Sequence, residues 1–295
     1  MRLLDGINIA ADVRKLSLEQ LEMLAGELRE QIIETVNANG GHLSSPLGVV
    51  ELTIALHCTY DVGVDKLIWD VGHQCYAHKL LTGRREQFSQ LRRKGGISGY
   101  PKVSETPIDC FGTGHSSTSI SAAVGMAIAR DRLGEQHQVV ALIGDGAMTG
   151  GMAFEALSHA GHLGLNMLVI LNDNKMSISP NVGALAHYFN RLITASPYKR
   201  AKEDVGSFVK SLIGGRMTRT IQDLEKSVKG FITKGGFFQE MGFNYIGPVD
   251  GHDLPLLIEL LKRVKQIKGP VILHCTTEKG KGLGAAEKDP QKYHG

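Results

Sequence analysis

The sequence predicts an α/β protein built on a parallel, doubly wound sheet with helices on both faces. Two continuous apolar strands, Val139–Ile143 and Met167–Leu171, carry no polar alternation, as strands covered on both faces do not. A helical stretch from about Thr149 to His162 separates them, the strand–helix–strand order that a parallel crossover requires. Glycine supplies 36 of 295 residues, about 12% against a usual 7%, so the backbone must approach something closely.

The elements follow in chain order. Ser17 and Gln20 form a capping box, and Leu18, Leu21, Leu24, Leu28, Ile32 and Val36 recur at helical spacing until Gly40. A second apolar helix is expected from about Leu47 to Cys58, then a short strand Leu67–Asp70 ahead of the turn at Gly72. A third helix, rich in small residues, is expected from about Ser117 to Leu133, ahead of the two apolar strands. From 180 to 220 the pattern is broken by Gly183, Pro197, Gly206 and Gly214-Gly215, which reads as a less regular excursion near the site. Periodicity returns with a helix capped by Asp253 and running to Val264, and with the strand Val271–His274. No internal repeat or low-complexity linker interrupts the chain.

Composition narrows the function. A hydrophobic fraction of 42% and mean hydropathy of −0.08 suit a sizeable core and exclude a disordered or fibrous chain. Lys+Arg 33 against Asp+Glu 30 is too balanced for a dedicated nucleic-acid binder; the pI of about 8.6 fits anionic metabolites. No apolar run reaches the ~18 residues of a membrane helix, and the first residues lack an apolar signal core, so no membrane partner and a cytoplasmic location are expected. Cys58, Cys75, Cys110 and Cys275 are scattered, without the spacing of a zinc or redox site.

The chemistry concentrates at Gly144-Asp145-Gly146-Ala147, directly after the first buried strand. Ligands of open α/β sheets sit at the carboxyl ends of strands, where glycines and a helix start can meet a phosphate. The Asp145 carboxylate would repel that phosphate unless a divalent cation such as Mg²⁺ lies between them. Asn172-Asp173-Asn174 closes the next strand, with Asn174 falling 29 residues after Asp145. Two strand ends facing one crevice would offer the metal Asp145, Asn174 and a nearby carbonyl. Alone, Gly-Asp-Gly serves as readily for a tight turn; with Asn-Asp-Asn at this spacing it resembles the thiamine-diphosphate motif. That resemblance implies that Asp145, the Asn174 side chain and the Met176 carbonyl hold Mg²⁺, with Gly146 and Ala147 on the diphosphate.

Further segments narrow the resemblance: Gly40-Gly41-His42-Leu43-Ser44-Ser45, Trp69-Asp70-Val71-Gly72-His73-Gln74, Gly112-Thr113-Gly114-His115-Ser116-Ser117-Thr118-Ser119, Gly247-Pro248-Val249-Asp250-Gly251-His252-Asp253 and Ala286-Glu287-Lys288-Asp289-Pro290. Together they resemble the N-terminal, diphosphate-binding part of 1-deoxy-D-xylulose-5-phosphate synthases, with a transketolase-like fold. The resemblance implies one thiamine-diphosphate/Mg-binding domain over 1–295, with pyrimidine-binding and C-terminal domains absent. It implies decarboxylation of pyruvate and transfer of the acetyl unit to D-glyceraldehyde 3-phosphate, the first step of non-mevalonate isoprenoid synthesis.

By the same resemblance His73, Gly114, His115, Ser116 and Lys279 approach the cofactor, while His42, His73 and His294 manage substrate and protons. The glutamate that would meet the aminopyrimidine ring belongs to the missing domain. The chain alone is therefore expected to be inactive, working with a C-terminal half in cis or trans as a homodimer or heteromer. A subunit of a split transketolase-like enzyme and a non-catalytic cofactor-binding module are the alternatives. His159 and His162, with no third ligand, read as surface residues, and His252 as a turn organiser. Leu283 stands where the family usually carries an aromatic residue against the cofactor.

Overall fold

The computed structural model describes residues 2–176, 183–184, 187–189, 191 and 236–295. The excursion expected at 180–220 therefore lies almost entirely outside the described residues. Among the described residues five strands form one all-parallel sheet: β1 (Lys66–Trp69), β2 (Val139–Gly144), β3 (Leu168–Asp173), β4 (Asn244–Asp250) and β5 (Val271–Thr276). Their spatial order is β1-β2-β3-β5-β4.

Eleven described helical segments are numbered in chain order: α1 (Ala10–Val13), α2 (Leu18–Asn39), α3 (Ser44–Leu47), α4 (Val50–Thr59), α5 (Tyr76–Leu81), α6 (Ser119–Leu133), α7 (Asp145–Met148), α8 (Gly151–Leu163), α9 (Gly236–Glu240), α10 (Leu254–Val264) and α11 (Gly284–Lys288). Helix α2 begins at the expected capping box, Ser17 Oγ accepting the Gln20 N–H and Gln20 Oε1 accepting the Ser17 N–H. Asp253 caps α10 through the Leu256 N–H. The helix expected from Leu47 to Cys58 is two pieces, α3 and α4, broken at Gly48-Val49. There Glu278 passes so closely that a Cβ on Gly48 would lie 2.9 Å from its carbonyl oxygen.

Alternation along the strands sends side chains into two separate cores. Leu67, Trp69, Val140, Leu142, Leu168, Ile170, Val271 and Leu273 pack on one face with α2, α4, α5 and α10. Ile68, Val139, Ala141, Ile143, Val169, Leu171 and Ile272 pack on the other with α6, α8 and α9. Burial on both faces is why β2 and β3 read as unbroken apolar runs. Among the described residues no helix is long and apolar enough to cross a membrane. All four cysteines are free thiols, Cys75 and Cys275 fully buried.

Parallel pairing brings the carboxyl ends of β1, β2, β3 and β5 to one edge. Gly144 lies opposite Asn172, and Asp173 opposite Thr276. The residues that follow these strands, Asp70, Asp145, Asn174 and Thr277, therefore share that edge, from which the site is built.

Candidate functional site

At the end of β1 the buried Asp70 carboxylate accepts the N–H groups of Ser117 (2.7 Å) and Ser119 (3.0 Å), fixing the start of α6. Ser117, at φ 70°, donates its hydroxyl to the Ala147 carbonyl at 2.7 Å. The Gly114-His115-Ser116 loop is thus tied to both β1 and the Gly144–Ala147 turn. The His115 ring is exposed, with Nδ1 2.8 Å from the Ser116 carbonyl. It does not join the other histidines singled out by sequence.

Asp145 opens α7 and is almost fully buried beside Asp173. Burial, then the adjacent Asp173 charge, push the Asp145 carboxyl up to about 8, with Gly146 N–H and Lys279 pulling the other way. Burial would raise Asp173 too, but hydrogen bonding to His274 and Asp145 outweighs it and leaves Asp173 the ionised partner. Two carboxyls in one buried place repel each other, so Asp145 holds its proton more tightly than an ordinary carboxyl does. Asn174 Oδ1 accepts the Met176 N–H at 3.1 Å around Lys175 (φ 62°), so an Asx turn brings Asn174 and Met176 together. Carboxylate, amide and carbonyl oxygens are hard donors that suit Mg²⁺.

The histidines expected to manage substrate converge from three distant segments. Ring centroids of His42 and His73 are 5.2 Å apart, His42 and His294 5.6 Å, and His73 and His294 5.8 Å. Tyr100 edges onto His42 at 5.8 Å. The C-terminal residues reach this place because Leu43 and Ser44 N–H groups donate to the His294 and Tyr293 carbonyls, and Ser44 Oγ donates to the Tyr293 carbonyl at 2.6 Å. Among the described residues, the buried Nδ1 atoms of His42, His73 and His294 have no hydrogen-bond partner. Burial, then the neighbouring imidazoles and Lys279 (with Arg92 beside His42), pull His42 down to about 4 and His73 to about 3; burial and Lys279 lower His294. The three imidazoles, each with a buried nitrogen that has no hydrogen-bond partner among the described residues, line one cradle.

Lys279 lies between the two groups. It is 7% exposed; burial lowers its pKa, the Asp145 carboxylate opposes that shift, and its charge depresses all three imidazoles. Gly280 N–H donates to the Ser44 carbonyl and Thr277 N–H to the Asp173 carbonyl, which fixes the strap carrying Lys279. Leu283, at the departure from the family pattern, packs against the α2–α4 core.

Sequence reasoning passed over a buried chain behind Asp145. His274, fully buried in β5, places Nε2 3.0 Å from Asp173 Oδ2 and Nδ1 2.6 Å from Tyr245 Oη. A histidine inside an apolar parallel strand is the signal that could have revealed it, because a buried ring needs partners. Asp70 was likewise passed over as a site-former. His159 and His162 are exposed, in keeping with surface roles.

Comparison with known proteins places the chain in a family. The sequence model described as 1-deoxy-D-xylulose-5-phosphate synthase matches residues 4–277. The chain belongs to the 1-deoxy-D-xylulose-5-phosphate synthase family. The enzyme of that name from Desulforudis audaxviator is 53% identical over all of this chain and 47% of its own length. That from Natranaerobius thermophilus is 55% identical, again over 100% of this chain and 47% of the relative. The chain thus spans about half the length of these synthases. Among solved structures, a transketolase from Campylobacter jejuni superposes with a TM-score of 0.68 at 21% identity, covering 95% of this chain and 40% of that one. A transketolase from Leishmania mexicana gives 0.65 at 24% identity, covering 89% and 37%. These two likenesses establish the transketolase-like fold of the synthase family member.

Proposed function

We propose that residues 1–295 form the diphosphate-binding half of a 1-deoxy-D-xylulose-5-phosphate synthase, a transketolase-type transferase. The reaction is decarboxylation of pyruvate with transfer of the acetyl unit to D-glyceraldehyde 3-phosphate. The observation that carries this reading is the convergence at one sheet edge of Asp145, the Asn174–Met176 turn, Lys279 and the His42/His73/His294 cradle. Asp145, Asn174 and the Met176 carbonyl would hold Mg²⁺. Gly146 and Ala147 at the α7 turn, the Gly114-His115-Ser116 loop and Lys279 would meet the diphosphate, and His73 the rest of the cofactor. Bound thiamine diphosphate supplies the electron sink for the decarboxylation.

This chain's own residues bind, orient and handle protons. Lys279 offsets diphosphate charge from a desolvated position, where a cation acts more strongly than in water. His42, His73 and His294, neutral near pH 7, can each accept a proton or hydrogen-bond a substrate oxygen. The remaining half of the catalytic site comes from the C-terminal, pyrimidine-binding half in cis or trans, as a homodimer or heteromer.

The test is product formation from pyruvate and D-glyceraldehyde 3-phosphate with Mg²⁺ and thiamine diphosphate, using this chain with and without a separately expressed C-terminal half. Product only in the mixture is expected. Cofactor binding without product in either tube would refute the synthase reading in favour of a non-catalytic module.

A further inference from the structure

The Gly247–Asp253 segment carries His252, whose ring reaches well beyond its own turn. The backbone N–H of Glu278 donates to His252 Nε2 at 2.9 Å, so the ring carries its hydrogen on Nδ1 and donates it to Glu51 Oε2 at 3.0 Å. Glu51, in the first turn of α4, is held from the other side by Arg29 of α2, whose two terminal nitrogens reach its two oxygens at 2.6 and 2.7 Å. The same guanidinium donates Nε–H to the Lys281 carbonyl at 2.8 Å and a second N–H to the Leu47 carbonyl at 3.2 Å.

Two backbone groups of the 277–283 strap, one on each side of Lys279, are therefore gripped by one bidentate ion pair and the imidazole bridged to it. Glycines let the parts meet. A Cβ on Gly48 would lie 2.9 Å from the Glu278 carbonyl oxygen, and one on Gly282, at φ 87°, would lie 2.7 Å from Arg29 Cδ.

We propose that Arg29, Glu51 and His252 are positioning residues that clamp the strap so that Lys279 is presented to Asp145 and to the anion bound there. The proposal rests on the reading of Lys279 as a diphosphate-binding residue. Lys279 has a long side chain of many rotamers on a backbone that continues through Gly280 and Gly282, so side chain and backbone both carry conformational freedom. Fixing the strap from two sides removes the backbone part of that freedom before the ligand arrives. The clamp contributes geometry and little charge, since Arg29 and Glu51 cancel. Any effect of His252 on anion affinity must therefore pass through Lys279.

This dependence sets the experiment, on the full chain with His252→Leu, His252→Gln, Lys279→Met and the His252→Leu/Lys279→Met double variant. Without cofactor, amide hydrogen exchange across 277–283 should accelerate about tenfold in His252→Leu. It should return to the parent rate in His252→Gln, whose amide can donate and accept as the ring does, while β2 and β3 amides stay unchanged as the folding control. In calorimetry with Mg²⁺ and thiamine diphosphate, His252→Leu should weaken binding about tenfold in the parent and less than about twofold in the Lys279→Met background. Unchanged strap exchange in His252→Leu, or an equal affinity loss with and without Lys279, overturns the clamp and leaves the diphosphate reading standing. A Lys279→Met chain that binds like the parent overturns the diphosphate reading instead, and the clamp's purpose with it.

Discussion

Replacing His73 with asparagine should make the fold less sensitive to acid. Burial, with His42, His294 and Lys279 nearby, pulls His73 from the ordinary 6.5 to about 3. The native ring therefore stays neutral at pH 5, while the same ring in the unfolded chain takes up a proton below 6.5. A group whose folded pKa is depressed contributes stability that is present above the unfolded value and lost as pH falls toward the folded one. At about 1.4 kcal/mol per pH unit, the 1.5 units between 6.5 and 5 correspond to about 2 kcal/mol lost to this ring, as an upper bound.

His42 adds a smaller loss, because its ring is more open to solvent, and Asp145 works in the opposite direction. Both contributions are common to parent and variant and drop out of the difference. Urea unfolding at pH 7 and pH 5, without Mg²⁺, should therefore show His73→Asn losing about 2 kcal/mol less than the parent between the two pH values. Equal losses in both chains, or an imidazole titration of His73 by NMR with a midpoint near 6.5, would refute the account of a neutral cradle.

Two further outcomes follow from the same geometry. Asp145→Ala should abolish Mg²⁺-dependent binding of thiamine diphosphate in calorimetry, and unchanged affinity would remove Asp145 from the metal set. Tyr245→Phe strips the 2.6 Å partner from His274 Nδ1, which should cost about 1–3 kcal/mol in chemical denaturation by leaving a buried nitrogen unpaired; no loss would mean the ring finds another partner.

Much of the fold was legible because local and tertiary demands coincide. The α2 capping box and apolar stripe are written in consecutive residues, and β2 and β3 announce burial on both faces by lacking polar positions. β4 was not legible as a strand, because Gly247-Pro248 sits in its middle. Among the described residues it pairs only with β5, at the edge of the sheet, and its register breaks between Ile246 and Val249, where a proline is tolerated. The close passage of Glu278 at Gly48, where the helix is broken, was equally hidden, since the two lie 230 residues apart in the chain.

The site divided the same way. The strand-end motifs stood out from their spacing, whereas the Asp173–His274–Tyr245 chain and the grip of Arg29 and His252 on the strap depend on contacts no local pattern records. Asp70 lay within a motif that the sequence singled out, but its hold on the start of α6 became visible only with the sheet edge assembled.

The imidazole cradle draws its three rings from positions 42, 73 and 294, so closing it joins segments separated by nearly the whole chain. Contacts of such long separation are entropically the last to be secured as a chain folds. A partly folded chain with β2 and β3 already paired would still have no cradle. Ligand that binds there selects the completely folded population, and its binding free energy is added to the stability of the whole domain rather than to one motif. For this protein, ligand affinity doubles as a measure of finished folding.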